Sequence, residues 1–181
     1  MLIKPNLDLF LPMNCPLPPS LLPWIAYPHS LTERLQVKAG NTRLQVLEQR
    51  WEKPNWWDKY VLHLQCKTVL HREILMWAWN DACWYARTII PETTYNADHL
   101  FFNRLQAESL GAMIFKEKKV RRIHLLHYPI GTQSIEYYWL TPLMHCSAPE
   151  LWVRLSCFMI HDEHPFYLIE TLLPGLQRYS N

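Results

Sequence analysis

The feature that most constrains the fold is a series of paired strand-length segments, each pair joined by a short turn. The pairs are residues 65–79 with 83–90, 120–128 with 134–141, and 151–160 with 166–173. Polar or glycine-containing turns between apolar segments favour β-hairpins. A further strand is predicted at 42–50, where apolar and polar residues alternate. The chain is therefore expected to form a mainly antiparallel sheet of about six strands, with seven as the upper count.

Helices are predicted between these strands. Ser30-Leu-Thr-Glu33 has the spacing of a capping box, and Gly40 marks the end of that helix. Asn96 is expected to cap a second helix over residues 97–108, with a further turn or two reaching Lys116. The order of the elements predicts an α+β fold with the helices grouped on one side of the sheet.

The length of 181 residues fits a single domain, predicted over residues 1–181. Half of the fourteen prolines fall within residues 5–28. Such a segment forms neither a long helix nor a central strand. Residues 1–28 are therefore expected to pack on the domain as extended chain, with a short helical turn near 21–26.

The composition argues against several classes of function. A net charge of +2 gives no broad basic surface for nucleic acid, and the basic run at 116–122 is expected to be solvated. The five cysteines form no Cys-x-x-Cys pair and are interpreted as reduced thiols. The sequence has no signal-peptide core and no apolar run long enough to span a membrane. We therefore expect a cytoplasmic protein without a membrane span.

The sequence also gives little support for a metal site or for nucleophilic catalysis. His161 and His164 fall on a predicted turn without a third ligand, and His124 and His127 point to opposite faces of a predicted strand. No metal site is expected. The chain has four glycines and no Gly-x-Ser-x-Gly, so neither a nucleophile elbow nor a phosphate-binding loop is predicted.

Two charged residues, Arg72 and Glu170, stand inside apolar strand segments. An isolated buried charge costs several kcal/mol, roughly, so each requires a partner or a ligand. Arg72 is a poor partner for Glu73, because adjacent strand residues face opposite sides. An edge-strand arginine and a paired carboxylate at the sheet rim remain open as structural alternatives. Arg87 is a third such charge and is interpreted as the structural partner of a carboxylate.

Several motifs together resemble one family. The motifs are His71-Arg-Glu-Ile-Leu75, Ala86-Arg-Thr-Ile-Ile-Pro91, Leu105-x4-Leu110-Gly111-x3-Phe115, Leu151-Trp-x-Arg-x-Ser156 and Pro165-x4-Glu170-x3-Pro174. In this order they resemble the bacterial chorismate lyases, over roughly residues 20–176. The resemblance implies an antiparallel sheet with helices that encloses an internal site for an aromatic acid.

The same resemblance implies an activity. Chorismate lyases remove pyruvate from chorismate and leave 4-hydroxybenzoate, the first dedicated precursor of the ubiquinone head group. Neither a metal nor an organic cofactor is implied. Chorismate and 4-hydroxybenzoate are the expected small-molecule partners, without nucleic acid, and the protein is expected to act as a monomer.

The resemblance also assigns site residues. Arg72 takes the position that holds the ring carboxylate, and Glu170 takes the glutamate at the hydroxyl end. Leu31 and Leu110 take positions whose backbone contacts the ligand. Each of these leucines follows a serine at a predicted helix start, where free amides point toward anions and polar oxygens.

This chain departs from the family pattern at three places. Ala86 stands where glycine is frequent, Leu155 replaces a second arginine, and the stretch from Phe115 to Trp152 is longer, adding residues 134–150. Two alternative functions are a non-catalytic aromatic-acid-binding module of the related transcription-regulator sensor fold, and an inactive relative that carries an aromatic acid. The short, proline-rich residues 1–28 are not expected to form a DNA-binding domain.

Overall fold

Six strands form one sheet in the computed structural model, which describes residues 4–7, 16–143 and 148–180. The strands are β1 (Thr42–Glu52), β2 (Val69–Ala78), β3 (Asp81–Pro91), β4 (Val120–Gly131), β5 (Glu150–Ile160) and β6 (His164–Leu172). Their order across the sheet is β1-β2-β3-β6-β5-β4. All neighbouring strands are antiparallel, which confirms the predicted α+β fold.

Short helices fill the connections between strands. They are α1 (Leu22–Ile25), α2 (Leu31–Ala39), α3 (Trp56–Val61), α4 (Glu92–Ala97), α5 (His99–Asn103), α6 (Leu110–Ile114) and α7 (Ile135–Tyr138). Two 3₁₀ segments, Arg104–Gln106 and Pro174–Tyr179, complete the described elements. The turn predicted near 21–26 is α1, whose Trp24 and Ile25 are fully buried.

The predicted α2 forms through the capping interaction that its sequence indicates. The Ser30 hydroxyl accepts a hydrogen bond from the backbone amide of Glu33 at 3.2 Å. Gly40 ends the helix with a φ of +75°, a conformation that glycine adopts without steric cost.

The single helix predicted over 97–108 is wrong, because the chain breaks at Asp98. Asp98 has φ −153° and ψ 66°, outside the helical region. Its carboxylate accepts a hydrogen bond from the amide of Phe101 at 3.1 Å, so Asp98 caps α5. Asn96, the predicted cap, lies inside α4.

The second predicted hairpin is also wrong. Residues 134–141 contain α7 instead of a strand, and β4 continues to Gly131 and pairs with β5. The Ser134 hydroxyl accepts a hydrogen bond from the amide of Gly131 at 3.2 Å, which turns the chain away from the sheet. The strand that pairs with β4 is thus β5, which follows α7 in the chain.

Glu136 explains why α7 folds back onto the protein. Its side chain is 0% exposed, and one carboxyl oxygen accepts hydrogen bonds from Trp57 Nε1 at 2.9 Å and the Tyr128 hydroxyl at 3.0 Å. Burial raises the pKa of Glu136 above its usual range. The longer segment noted in the sequence is therefore tied to the core by a buried acid.

The raised pKa of Glu136 predicts a pH-dependent stability. Between the unfolded pKa of about 4.3 and the higher folded pKa, the unfolded chain releases the proton that the folded state keeps. The free energy of unfolding should therefore fall as pH rises through that window, relative to Glu136→Gln. Urea titrations from pH 4 to 8 measure this difference. Glu163→Gln, at an exposed position, is the control, and a parallel course for wild type and Glu136→Gln would contradict the prediction.

The two faces of the sheet carry separate cores. On β2, β3, β5 and β6, even-numbered residues such as Met76 and Phe158 share a cluster with residues of α1, α2, α5 and α6. We call the side of the sheet that carries this cluster the helical face. Odd-numbered residues such as Tyr85 share a second cluster with Trp57 of α3 and, beside α7, Leu140. Alternation along a strand thus decides which side chains meet the longest helix, α2.

Candidate active site

Strand register brings the predicted charges to the helical face. Arg72 lies opposite Thr88 in the β2–β3 pair. Glu170 lies opposite Ala86 in the β3–β6 pair and opposite Arg154 in the β5–β6 pair. All five are even-numbered residues on strands whose even positions face the helices, so their side chains point to one side.

A cavity lies between these side chains and the helices. Its charged lining consists of Arg72, Arg122, Arg154 and Glu170. Apolar side chains form much of the remaining wall, namely Leu44, Ile74, Met76, Trp84, Ala86, Ile114, Phe115 and Leu168. A largely apolar wall with a few charged groups is typical of a small-molecule site.

Two helix starts border the same cavity. Leu31 is the first residue of α2 and Leu110 the first of α6, and both line the space. The starts approach closely, since a Cβ added to Gly111 would lie 3.1 Å from the Ser30 hydroxyl. All four residues that the resemblance assigned therefore border one cavity, although Leu31 and Leu110 lie on different helices.

Arg72 is buried without a carboxylate partner among the described residues. It is 2% exposed, and its Nη2 donates to the Glu108 carbonyl at 3.3 Å. Its Nε is buried and has no hydrogen-bond partner in the described part of the chain. Burial lowers the pKa of Arg72 to about 10, so the guanidinium stays charged at neutral pH. The alternative of an arginine reaching solvent is therefore excluded.

Glu170 forms a buried ion pair. It is 5% exposed, and Arg154, at 1% exposed, donates from Nη1 to its Oε2 at 2.6 Å. Arg154 also donates from Nη2 to the carbonyl oxygens of Tyr27 and, at 3.4 Å, His29. Glu170 is thus a paired carboxylate, as one of the structural alternatives stated. Glu170 lies on the interior strand β6, however, and not at the sheet rim.

Arg122 is a cavity residue that the sequence did not single out. Its Nη1 donates to the Pro28 carbonyl at 2.7 Å, and its guanidinium lies 5.0 Å from the Phe115 ring centroid and 5.2 Å from that of Phe158. Burial, and then the charge of Arg154, lower its pKa to about 10. The basic run 116–122 was expected to be solvated, and Arg122 departs from that expectation. Strand alternation separates Arg121 from Arg122, but the sequence does not show which of them faces inward.

Arg87 belongs to a different network on the opposite face of the sheet. Its Nε lies 3.2 Å from Glu73 Oε1, and its Nη2 lies 3.0 Å from His71 Nδ1. His71 in turn contacts Asp58 at 2.9 Å and Glu52. The interpretation of Arg87 as the structural partner of a carboxylate is confirmed.

The described residues contain no cluster of side chains suited to a metal ion. Within the ranges given above, no three or more His, Cys, Asp or Glu side chains group so as to hold a metal ion. His161 instead lies 3.0 Å from Asp98. Cys66, Cys83 and Cys157 are free, whereas Cys15 and Cys146 lie outside the described residues. No helix in the described chain is long and apolar enough to cross a membrane.

Comparison with known proteins identifies relatives along most of the chain. The family model described as chorismate lyase matches residues 12–176. A protein of Azoarcus sp. named probable chorismate pyruvate-lyase is 27% identical over 86% of this chain and 85% of its own length. Proteins of the same name from Cupriavidus pinatubonensis (31% identity, 92% of this chain and 87% of the relative) and Aromatoleum aromaticum (27%, 97% of both) are also similar.

Solved structures share the fold at low sequence identity. PhnF from Mycobacterium smegmatis has a TM-score of 0.57 at 12% identity, covering 80% of this chain and 64% of that chain. The ligand-binding domain of a putative GntR-family transcriptional regulator from Bordetella bronchiseptica has a TM-score of 0.51 at 14% identity, covering 75% and 83%. At such identities the likeness concerns the fold alone.

Proposed function

The chain belongs to the chorismate lyase family, and from this membership we propose that it is a chorismate pyruvate-lyase that converts chorismate to 4-hydroxybenzoate and pyruvate. The observation that carries the proposal is that Arg72 and Glu170, from distant parts of the chain, line one cavity on the helical face. The names of the relatives support the same activity.

Arg72 is proposed to hold the ring carboxylate. Its planar guanidinium matches a carboxylate with two parallel hydrogen bonds, which a lysine does not provide. The group is buried and lacks a carboxylate among the described residues, so a bound carboxylate would compensate its charge.

Glu170 is proposed to act at the opposite end of the ring. There it would hold the C4 hydroxyl or assist the transfer of the proton from C4. The ion pair with Arg154 holds its carboxylate in place. Backbone amides at Leu31 and Leu110 are proposed as further contacts to the ligand. Both residues border the cavity, as the family pattern implies.

The proposed reaction is an elimination that leaves an aromatic ring. The C4–H bond breaks and its electron pair forms the new ring double bond, while the C3–O bond breaks and its pair stays on the departing enolpyruvyl oxygen. The proton from C4 is balanced by the one that converts enolpyruvate to pyruvate. Since aromatisation drives the reaction, we propose that the site contributes mainly by positioning a reactive conformer.

Further parts of the proposal concern the biological setting. We propose that the product enters ubiquinone head-group synthesis, that the protein is cytoplasmic, and that it acts as a monomer. We also retain the prediction that residues 1–181 form one domain with the N-terminal segment packed on it. The buried Trp24 and Ile25 support that packing for the described part of the segment.

Incubation of the purified protein with chorismate tests the function directly. Pyruvate should appear in a coupled lactate dehydrogenase assay, with an equimolar amount of 4-hydroxybenzoate by chromatography. A protein that binds 4-hydroxybenzoate but releases no pyruvate above the uncatalysed rate would instead be the aromatic-acid-binding module, and the lyase proposal would fail.

A further inference from the structure

The charged side chains that line the cavity carry a net positive charge. Arg72, Arg122, Arg154 and Glu170 line it, and the ion pair at 2.6 Å cancels Arg154 against Glu170. Arg72 and Arg122 each donate to a backbone carbonyl, of Glu108 and Pro28, and neither forms an ion pair with a carboxylate among the described residues. Two positive charges therefore remain without an ion-pair partner among the described residues, and charges withdrawn from water are stabilised by a counter-charge.

The two uncompensated arginines lie at opposite sides of the cavity. In the sheet order, Arg72 on β2 and Arg122 on β4 flank Glu170 on β6, with one strand between β6 and each of them. Across the strands, each of these separations is about 10 Å at the strand spacing of a sheet. Along the strands, Arg72 is level with Leu168 and Arg122 with Phe166, so both arginines are displaced from Glu170 in the same direction. Arg72, Glu170 and Arg122 therefore stand at three corners of the cavity, with Glu170 displaced along the strands from the line between the two arginines.

The guanidinium of Arg122 is held ready for a ligand. The rings of Phe115 and Phe158 flank it at 5.0 and 5.2 Å, and the Pro28 carbonyl fixes Nη1. Its Nε is buried without a hydrogen-bond partner in the described chain. A guanidinium held by aromatic rings and one carbonyl loses little entropy when it binds an anion.

We infer that Arg122 binds the second carboxylate of a dianionic substrate, the one on the enolpyruvyl group of chorismate. This inference rests on the proposed function and extends it. The enolpyruvyl ether stands at C3, beside the C4 hydroxyl. With the ring carboxylate at Arg72 and the hydroxyl at Glu170, the enolpyruvyl group leaves the axis between them sideways, and it meets Arg122 when the ring is turned to that side. Because 4-hydroxybenzoate lacks this carboxylate, Arg122 distinguishes substrate from product.

Ligand pairs that differ in one carboxylate test the inference without turnover. The probes are 3-(carboxymethoxy)-4-hydroxybenzoate, a dianion, and 3-methoxy-4-hydroxybenzoate, its monoanionic match, measured by calorimetry. The wild-type protein should bind the dianion about 10- to 100-fold more tightly, as expected for a charged hydrogen bond. Arg122→Gln should abolish that preference while leaving 4-hydroxybenzoate affinity within about twofold of the wild type.

Arg121→Gln is the matched control, because Arg121 is the exposed neighbour that pairs with Asp162, and it should keep the preference. Equal wild-type affinity for the two probes, or a preference that survives in Arg122→Gln, would overturn the inference. If Arg122→Gln does not fold, Arg122→Lys takes its place, and an unreduced preference in that variant would count against the role. A wild-type protein that prefers the dianion yet releases no pyruvate would separate failure of the lyase proposal from failure of this inference.

Discussion

Arg72→Ala is expected to lower kcat/KM for chorismate by the equivalent of ~2–5 kcal/mol, the usual loss when one partner of a buried charge pair is removed. The reason is that the substrate carboxylate would enter the cavity without its guanidinium. Initial rates of pyruvate release, measured over a range of chorismate concentrations, give this value.

The same substitution should not destabilise the free protein through lost ion pairing, because Arg72 forms no ion pair with a carboxylate among the described residues. Urea unfolding therefore separates a binding role from a structural one. Arg121→Ala, at an exposed site, is the control for both measurements. An Arg72→Ala protein that turns over chorismate at the normal rate would refute the assigned role.

Glu170→Ala is expected to reduce the free energy of unfolding by ~3–5 kcal/mol, since it leaves the fully buried Arg154 without its counter-charge. The 2.6 Å pair lies on interior strands of the sheet, and both side chains are buried. Urea denaturation measures the loss, and Arg121→Ala should stay within about 1 kcal/mol as a surface ion-pair variant.

A double variant separates stability from activity at this pair. Arg154→Met combined with Glu170→Leu removes both charges and should recover much of the stability lost by Glu170→Ala. It should still release no pyruvate if Glu170 acts on the substrate. A double variant with wild-type activity would remove Glu170 from the mechanism, and a Glu170→Ala protein of unchanged stability would contradict the importance of the pair.

The predictions from sequence succeeded where a local pattern is sufficient. The β2–β3 and β5–β6 hairpins and α2 follow from alternation, turn residues and capping. The resemblance to chorismate lyases is confirmed by the family match. This resemblance rests on short motifs in which single charged residues occur among apolar residues.

The failures concern segments whose structure depends on distant contacts. Residues 134–141 have the composition of a strand, but α7 forms because Glu136 is buried against Trp57 and Tyr128. The helix predicted after Asn96 is divided at Asp98, whose side chain caps α5 and also contacts the distant residues Lys119 and His161. Neither outcome can be read from periodicity, which records only which residues share a face.

The sequence by itself indicated all six strands of the sheet, together with one segment that is not a strand, the family, and the two charges that an apolar strand does not tolerate without compensation. The tertiary structure alone decided that Arg72 and Glu170 line one cavity and that Arg122 also reaches it. The physical reason is that β6 lies between β3 and β5. Local propensities decide which residues form strands, but the pairing of strands distant in sequence decides which charges meet.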